Sequence, residues 1–182
     1  FLGREKALLF STGYMANLGV ISALADRKTT LFQDKLNHAS LIDAAKLSGA
    51  RLVRYRHADV EHLNVTIEKS AESESLIVTD GVFSMDGDCA PLKQLVEIGR
   101  QSEISLIVDD AHGIGVLGKR GAGTLEELDI NSEDVPILVG TLGKAFGTFG
   151  AFVAGSEELI TYLIQRARTF IYTTALPPAV AS

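Results

Sequence analysis

Tryptophan is absent from the 182 residues, cysteine occurs once, methionine twice and proline four times. A lone cysteine, Cys89, excludes an internal disulfide framework and any metal site built on several thiolates. It is expected to be an inert, buried thiol in a reducing, cytoplasmic compartment. No apolar run approaches the roughly 20 residues that a membrane-spanning helix needs. The longest runs, 104–108 and 136–139, have the length of buried strands. Basic residues are outnumbered, 17 Lys and Arg against 23 Asp and Glu, and the formal charge of -6 comes without a basic cluster to grip nucleic acid. No secretory signal is read at Phe1. The opening without methionine and the stop at Ser182 lead to the expectation of a piece of a longer protein.

The chain does have apolar material for one packed core, at 46% hydrophobic and 22% charged residues, which rules out disorder. Short β-rich runs alternate with helical patterns, the mark of an α/β sheet with crossover helices. Strands are expected over 29–33, 51–55, 76–79, 105–108, 137–141 and 149–154. Helices are expected over 14–25 and over 60–70, and also around Leu92, Leu95, Val96 and Gly99. Another helix is expected to open on Ser40 and Asp43 as a capping-box-like start and to close at Gly49. The clearest helix opens at Ser156, with Glu157 and Glu158 at its positive end, Ile160, Leu163, Ile164 and Ala167 on one face, and Arg166 and Arg168 at its negative end. No repeat, low-complexity stretch or linker divides the chain, so one domain is expected.

In open α/β sheets ligands bind beyond the carboxyl ends of the strands. Three polar clusters follow buried strands here: Asp80 to Ser84, Asp109 to His112, and Thr141 to Lys144. Gly113, Gly115 and Gly118 satisfy a dinucleotide-binding spacing, but 119–123 continues with no helical period, and that reading needs a helix to open there. Gly143-Lys144 lacks the first glycine of a phosphate loop and has Ala145 where Ser or Thr must hold magnesium. Asp109, Asp110 and His112 lack metal-ligand spacing, and no metal is expected.

Pyridoxal 5′-phosphate (PLP) accounts for more of these positions together. It needs a Schiff-base lysine, an acid facing its pyridine nitrogen and donors for its phosphate. Lys144 sits among small residues at a buried strand end, although taken alone it reads as a solvated lysine. Asp109 follows four apolar residues and would favour the protonated ring; taken alone it is a cap or a buried pair. Gly13 and Tyr14 open a helix whose free N–H groups suit a phosphate, or else form an ordinary turn.

Five ordered segments carry a specific resemblance: Ser11-Thr12-Gly13-Tyr14-Met15-Ala16-Asn17, Asn37-His38-Ala39-Ser40-Leu41, Thr79-Asp80-Gly81-Val82-Phe83-Ser84-Met85-Asp86-Gly87, Asp109-Asp110-Ala111-His112-Gly113 and Gly140-Thr141-Leu142-Gly143-Lys144. Together they resemble the α-oxoamine synthases, homodimeric PLP enzymes of the aspartate-aminotransferase fold, over essentially the whole chain. Gly87-Asp88-Cys89-Ala90-Pro91-Leu92, Phe149-Gly150-Ala151-Phe152-Val153 and Tyr172-Thr173-Thr174-Ala175-Leu176-Pro177-Pro178 are most similar to the biotin-pathway branch; the CoA-ligase branch is the alternative.

The resemblance implies a three-layer α/β/α architecture with a mostly parallel sheet, the PLP-binding large domain over 1–182, without an N-terminal arm or the C-terminal small domain that supplies an arginine for the substrate carboxylate. It implies condensation of L-alanine with a pimeloyl thioester, on CoA or a carrier protein, with loss of carbon dioxide. Carried over by position, Lys144 would form the Schiff base and then act as the base at Cα, and Asp109 would pair with the pyridine nitrogen. His112 would bond the ring's 3-oxygen, His38 would stack on the ring beside the amino acid, and Ser84 would approach the ring's oxygen side. Gly13, Tyr14 and Thr141 would hold the phosphate, with Thr173 and Thr174 reaching a neighbouring subunit's phosphate. Asn17, Asp80, Asp86 and Asp110 are expected to fix loops, and His57 and His62 to lie on the surface. A catalytically silent partner subunit of the same fold is the rival from another class.

Overall fold

The structure, a computed structural model, describes residues 1–70 and 74–181. In chain order the elements are β1 (Lys6–Phe10), α1 (Gly13–Leu24), β2 (Thr30–Asp34), α2 (Ala39–Ser48), β3 (Arg51–Tyr55), α3 (Val60–Glu68), β4 (Ser75–Asp80), α4 (Leu92–Ser102), β5 (Ser105–Asp109), α5 (Thr124–Glu127), β6 (Ile137–Thr141), β7 (Ala151–Gly155), α6 (Glu157–Arg166), α7 (Arg168–Ile171) and α8 (Pro178–Ala181). The seven strands form one sheet in the order β1-β7-β6-β5-β4-β2-β3. The strands from β3 across to β6 run parallel, and β7 is antiparallel to both of its neighbours, β6 and β1.

The central strands read Leu-Ile-Val in both β4 and β5 and Ile-Leu-Val in β6, continuous apolar runs of the kind a parallel sheet needs when helices cover both faces. Alternate residues therefore enter different cores. Val78, Ile107 and Val139 pack with Val20 and Ile21 of α1, Leu41 of α2 and Leu163 of α6. Ile77, Leu106 and Leu138 pack with Leu63 of α3 and Leu92, Leu95 and Ile98 of α4. Each such fully buried side chain stabilises the fold by about 1.5–3 kcal/mol relative to exposure. The alternating pattern's α/β sheet with crossover helices is observed, and so is the three-layer α/β/α architecture that the resemblance implies.

Local signals set several element ends. Ser156 Oγ accepts from Leu159 N and opens α6, as its sequence indicates. Ile164, expected on the buried face of α6, is instead exposed, while Ile160 and Leu163 are buried. The N-cap of α2 is His38 and not Ser40: His38 Nδ1 accepts from Ser40 N, and Ser40 is already inside the helix and buried. β1 is not among the expected strands: only Leu8 and Phe10 of its five residues are buried, and the segment gains its strand character by pairing with β7. β7 begins at Ala151, two residues later than expected, because 142–150 is taken up by a turn.

That turn carries Lys144. Leu142 N donates to Gly150 O and Thr148 N to Leu142 O, closing a hairpin between β6 and β7. Gly147, at φ +64°, and Gly150, at φ +104°, supply the left-handed conformations the turn requires.

Candidate active site

The parallel strands β4, β5 and β6 end side by side at Asp80, Asp109 and Thr141, with Asp80 in register with Asp109. The N-termini of α1 and α2 arrive at the same edge. Between them lies a cavity of about 180 Å³ lined by Gly13, Tyr14, His38, Ser40, Asp80, Ser84, Asp109, Ala111, His112, Thr141 and Lys144. All eight residues singled out from the sequence as cofactor-binding thus surround one space. Thr173 and Thr174 do not join them; they line a separate groove with Phe10 and Phe170. Asp86 is exposed on its loop.

Asp109 is buried and held from both oxygens. Its Oδ2 accepts from Asn17 Nδ2 at 2.6 Å and its Oδ1 from Ala111 N at 3.1 Å. Asp80, beside it, accepts from His38 N at 2.7 Å. Burial, reinforced by the charge of Asp109, pushes the Asp80 carboxyl up to about 8. Only one of two adjacent buried carboxyls ionises readily, and the second keeps its proton. Asp110 points away from the cavity and organises the loops beneath it. Its Oδ2 accepts from Thr124 N at 2.8 Å, and a Cβ on Gly81, Gly113 or Gly123 would come within 2.5 Å of its carboxylate. Burial pushes Asp110 to about 7.

Lys144 itself is exposed at the cavity, although the strand that delivers it is buried. Its Nζ lies 2.7 Å from His112 Nε2. The lysine side chain is open to solvent along its length, but its ammonium is partly shielded at the cavity, and that desolvation lowers its pKa against the pull of Asp109 and Asp80. Burial likewise lowers His112, and the charge of Lys144 adds to the effect. A neutral imidazole facing a lysine with a weakened hold on its proton is an arrangement suited to proton transfer and to imine formation. At the other end, Thr12 caps α1, which leaves the first-turn N–H groups of Gly13 and Tyr14 without intrahelical acceptors. A Cβ on Gly13 would meet no atom within 4 Å, so protein packing does not demand the glycine. Thr141 Oγ1 donates to Gly150 O and accepts from Gly143 N, tying the lysine hairpin to its strand.

Two expectations are corrected. Cys89 is exposed and not buried; it lies in the loop after β4, where it makes an isolated antiparallel bridge to Val82 and is not part of the packed sheet. His57 is not a free surface residue. Its Nδ1 lies 2.9 Å from Asp34 Oδ1 and its Nε2 2.9 Å from Asp88 Oδ2, and its ring packs edge-on against Phe83. Carboxylates only accept, so both ring nitrogens must donate, which requires the protonated ring. His57 thereby fastens the loop bearing Ser84 to the end of β2. Its separation from Asp34 and Asp88 in sequence leaves no local signal of the contact.

The family model described as aminotransferase class I and II matches residues 1–182. The chain belongs to this family. Among class I and II aminotransferase relatives, an 8-amino-7-oxononanoate synthase from Methylococcus capsulatus is 66% identical over 181 residues, covering 100% of this chain and 47% of the relative. One of the same name from Saccharophagus degradans is 62% identical over 182 residues, covering 100% of this chain and 46% of the relative. The chain therefore spans about half the length of the curated relatives it matches. Among solved structures, a serine palmitoyltransferase variant from S. paucimobilis with a bound PLP-myriocin aldimine superposes with a TM-score of 0.93 at 37% identity, over 98% of this chain and 46% of that one. An 8-amino-7-oxononanoate synthase from Francisella tularensis superposes with a TM-score of 0.85 at 43% identity, over 97% of this chain and 51% of that one. These likenesses bear out the α-oxoamine synthase resemblance drawn from the five segments. Among the described residues, no helix is long and apolar enough to cross a membrane, and no cluster of His, Cys, Asp and Glu could hold a metal ion.

Proposed function

We propose that the protein carrying this chain binds PLP at the strand ends and condenses L-alanine with a pimeloyl thioester, releasing the thiol and carbon dioxide, to give 8-amino-7-oxononanoate. The observation that carries this reading is the convergence of Lys144, Asp109, His112 and the open start of α1 on one cavity. The donor set fits the cofactor: an amine for its aldehyde, a doubly anchored carboxylate for its pyridine nitrogen, and free N–H groups beside an unfilled glycine for its phosphate. When bound, PLP withdraws electrons from the amino-acid Cα.

The chain's own residues do the rest. Asn17 and Ala111 hold Asp109 in place, and the protonated Asp80 spares the site a second negative charge. Lys144, its hold on a proton weakened by partial desolvation of the amine, takes the Cα proton and returns it later, while His112 Nε2 holds the lysine nitrogen between those events. Gly13, Tyr14 and Thr141 border the phosphate end, and His38 and Ser84 border the ring. Residues 1–182 form the large domain of a homodimer whose sites lie at the subunit interface, and an arginine outside this chain grips the substrate carboxylate.

Borohydride trapping tests the reading. The full-length protein is incubated with PLP, reduced and digested, and the phosphopyridoxyl group is expected on Lys144 by mass spectrometry. Lys144→Ala is expected to lose the label. Product formation is then read with alanine or serine against pimeloyl and palmitoyl thioesters. A label elsewhere would overturn the site, and a labelled but inert protein would favour a silent partner subunit.

A further inference from the structure

A relay of hydrogen bonds links the floor of the cavity to its wall through Asn17 and Ser40. Asn17, in α1, is buried, and its Nδ2 donates both to Asp109 Oδ2 at 2.6 Å and to Ser40 Oγ at 2.9 Å. Ser40 Oγ in turn lies 2.7 Å from His38 Nδ1, which also accepts from Ser40 N at 3.2 Å. Ser40 is fully buried, whereas His38 is exposed at the cavity.

The direction of every proton in this relay follows from the donors and acceptors. Both Asp109 oxygens accept from N–H groups, so an Asn17 carbonyl turned towards Oδ2 would set two acceptors 2.6 Å apart; the amide NH2 must face Asp109. Its second hydrogen then goes to Ser40 Oγ, which leaves the serine's own hydrogen free for His38. His38 Nδ1 thus receives two donors, the hydroxyl and the backbone N–H, and has no room for a proton of its own. The ring carries its proton on Nε2. This ordering leaves Asn17 Oδ1 buried without a partner, a cost that an apolar residue of the same shape would avoid. What the amide supplies in return is its pair of oriented donors.

We propose that Asn17 and Ser40 are positioning residues that lock His38 as the Nε2–H tautomer, so that the ring faces the site as a hydrogen-bond donor and not as a base. The functional role rests on the PLP reading, while the tautomer itself does not. It also divides the work in the cavity: proton removal falls to Lys144, and His38 presents a fixed donor on the opposite side of the relay from Asp109.

The test uses the full-length protein labelled with 15N in its histidine rings, without added cofactor, and with the His38 signals assigned through His38→Gln. A bare Nδ1 and a protonated Nε2 are expected in the wild type. Ser40→Ala is expected to shift the ring towards a mixture of tautomers, and Ser40→Thr, which keeps a hydroxyl, to restore the wild-type pattern. A proton on Nδ1 in the wild type, or a Ser40→Ala spectrum identical to wild type, would overturn the proposal. In turnover with the amino-acid substrate, Ser40→Ala is expected to lower kcat about five- to tenfold, the effect of one lost hydrogen bond, with KM within about twofold. Ser40→Thr is expected to recover most of kcat. Equal kcat in Ser40→Ala and wild type would overturn the catalytic half of the proposal. Absence of the borohydride label on wild-type Lys144 would instead indict the cofactor reading, and the ring spectra would still decide the tautomer.

Discussion

At the scale of single residues, the cavity is organised by unequal neighbours. Asp80 and Asp109 sit in register at adjacent strand ends, yet Asp109 has an N–H donor on each carboxylate oxygen while Asp80 is held by the backbone of His38. Asp80 keeps its proton up to about 8, whereas in the unfolded chain it would lose it near 3.8. The folded state therefore binds the extra proton between those values, so stability is fullest in acid and falls as pH rises through the folded value. His57 acts in the same direction. Burial alone would lower it, but hydrogen bonds and charges of Asp34 and Asp88 outweigh that and raise it above 6.5, so its clamp is lost as pH rises through that raised value. Thermal midpoints measured from pH 5 to pH 9 are expected to decline toward alkali, and Asp80→Asn is expected to flatten the decline. His57→Gln is expected to remove the part near neutrality and to loosen the Ser84 loop. A steeper decline in Asp80→Asn than in wild type would contradict the assignment.

The identities of the residues around the cavity are legible in the sequence, and the reason is topological. Asp109 and Lys144 each come just after a buried apolar run, and a parallel sheet delivers the ends of its strands to one edge. The links between residues are not legible there. Nothing in the sequence joins His57 to Asp34 and Asp88, or Asn17 to Ser40, because those contacts depend on where α1, α2 and the β4–α4 loop dock.

Among the elements, the long apolar strands and the Ser156-capped helix are readable because local propensity and tertiary burial agree there. β1 is not, since five residues that alternate weakly acquire strand character only by pairing with β7. The start of α2 misleads for a related reason: a histidine ring replaces the hydroxyl that normally caps, while the serine that looks like a cap serves inside the site. The end of α4 shows a different compromise. Glu103 closes the helix in the left-handed conformation, at φ 55°, where glycine is the usual residue. Glu103→Gly should relieve a strain of about 1–2 kcal/mol per left-handed residue, partly offset by the greater freedom of glycine in the unfolded chain. A net gain of about 0.5–1 kcal/mol is expected, read as a rise of about 1–4 °C in Tm. Ser156→Ala should do the reverse, at a cost of about 1 kcal/mol, by stripping α6 of its cap.

For the molecule as a whole, the two helical layers and the seven strands converge on a site that no single element could build. Asp109 comes from β5, its anchor Asn17 from α1, the ring of His38 from the start of α2 and Lys144 from the β6–β7 hairpin. The Lys144 hairpin closes between Leu142 and Gly150 and can form early and locally. β1 is its opposite: Lys6 pairs with Gly155 and Phe10 with Ala151, so this edge strand joins segments far apart in sequence. Bringing such distant segments together costs loop entropy that no local contact repays. β1 should accordingly be the last strand to zip onto the sheet and the first to fray. In native-state hydrogen exchange, its amides are expected to exchange through a low-energy local opening, while those of β4 and β5 exchange only with global unfolding. Phe10 lies on that strand, its carbonyl beside the Gly150 that ends the lysine hairpin. Each time β1 frays, Gly150 loses the Phe10 carbonyl at its side, and the hairpin that carries Lys144 is left to its own β6–β7 pairing.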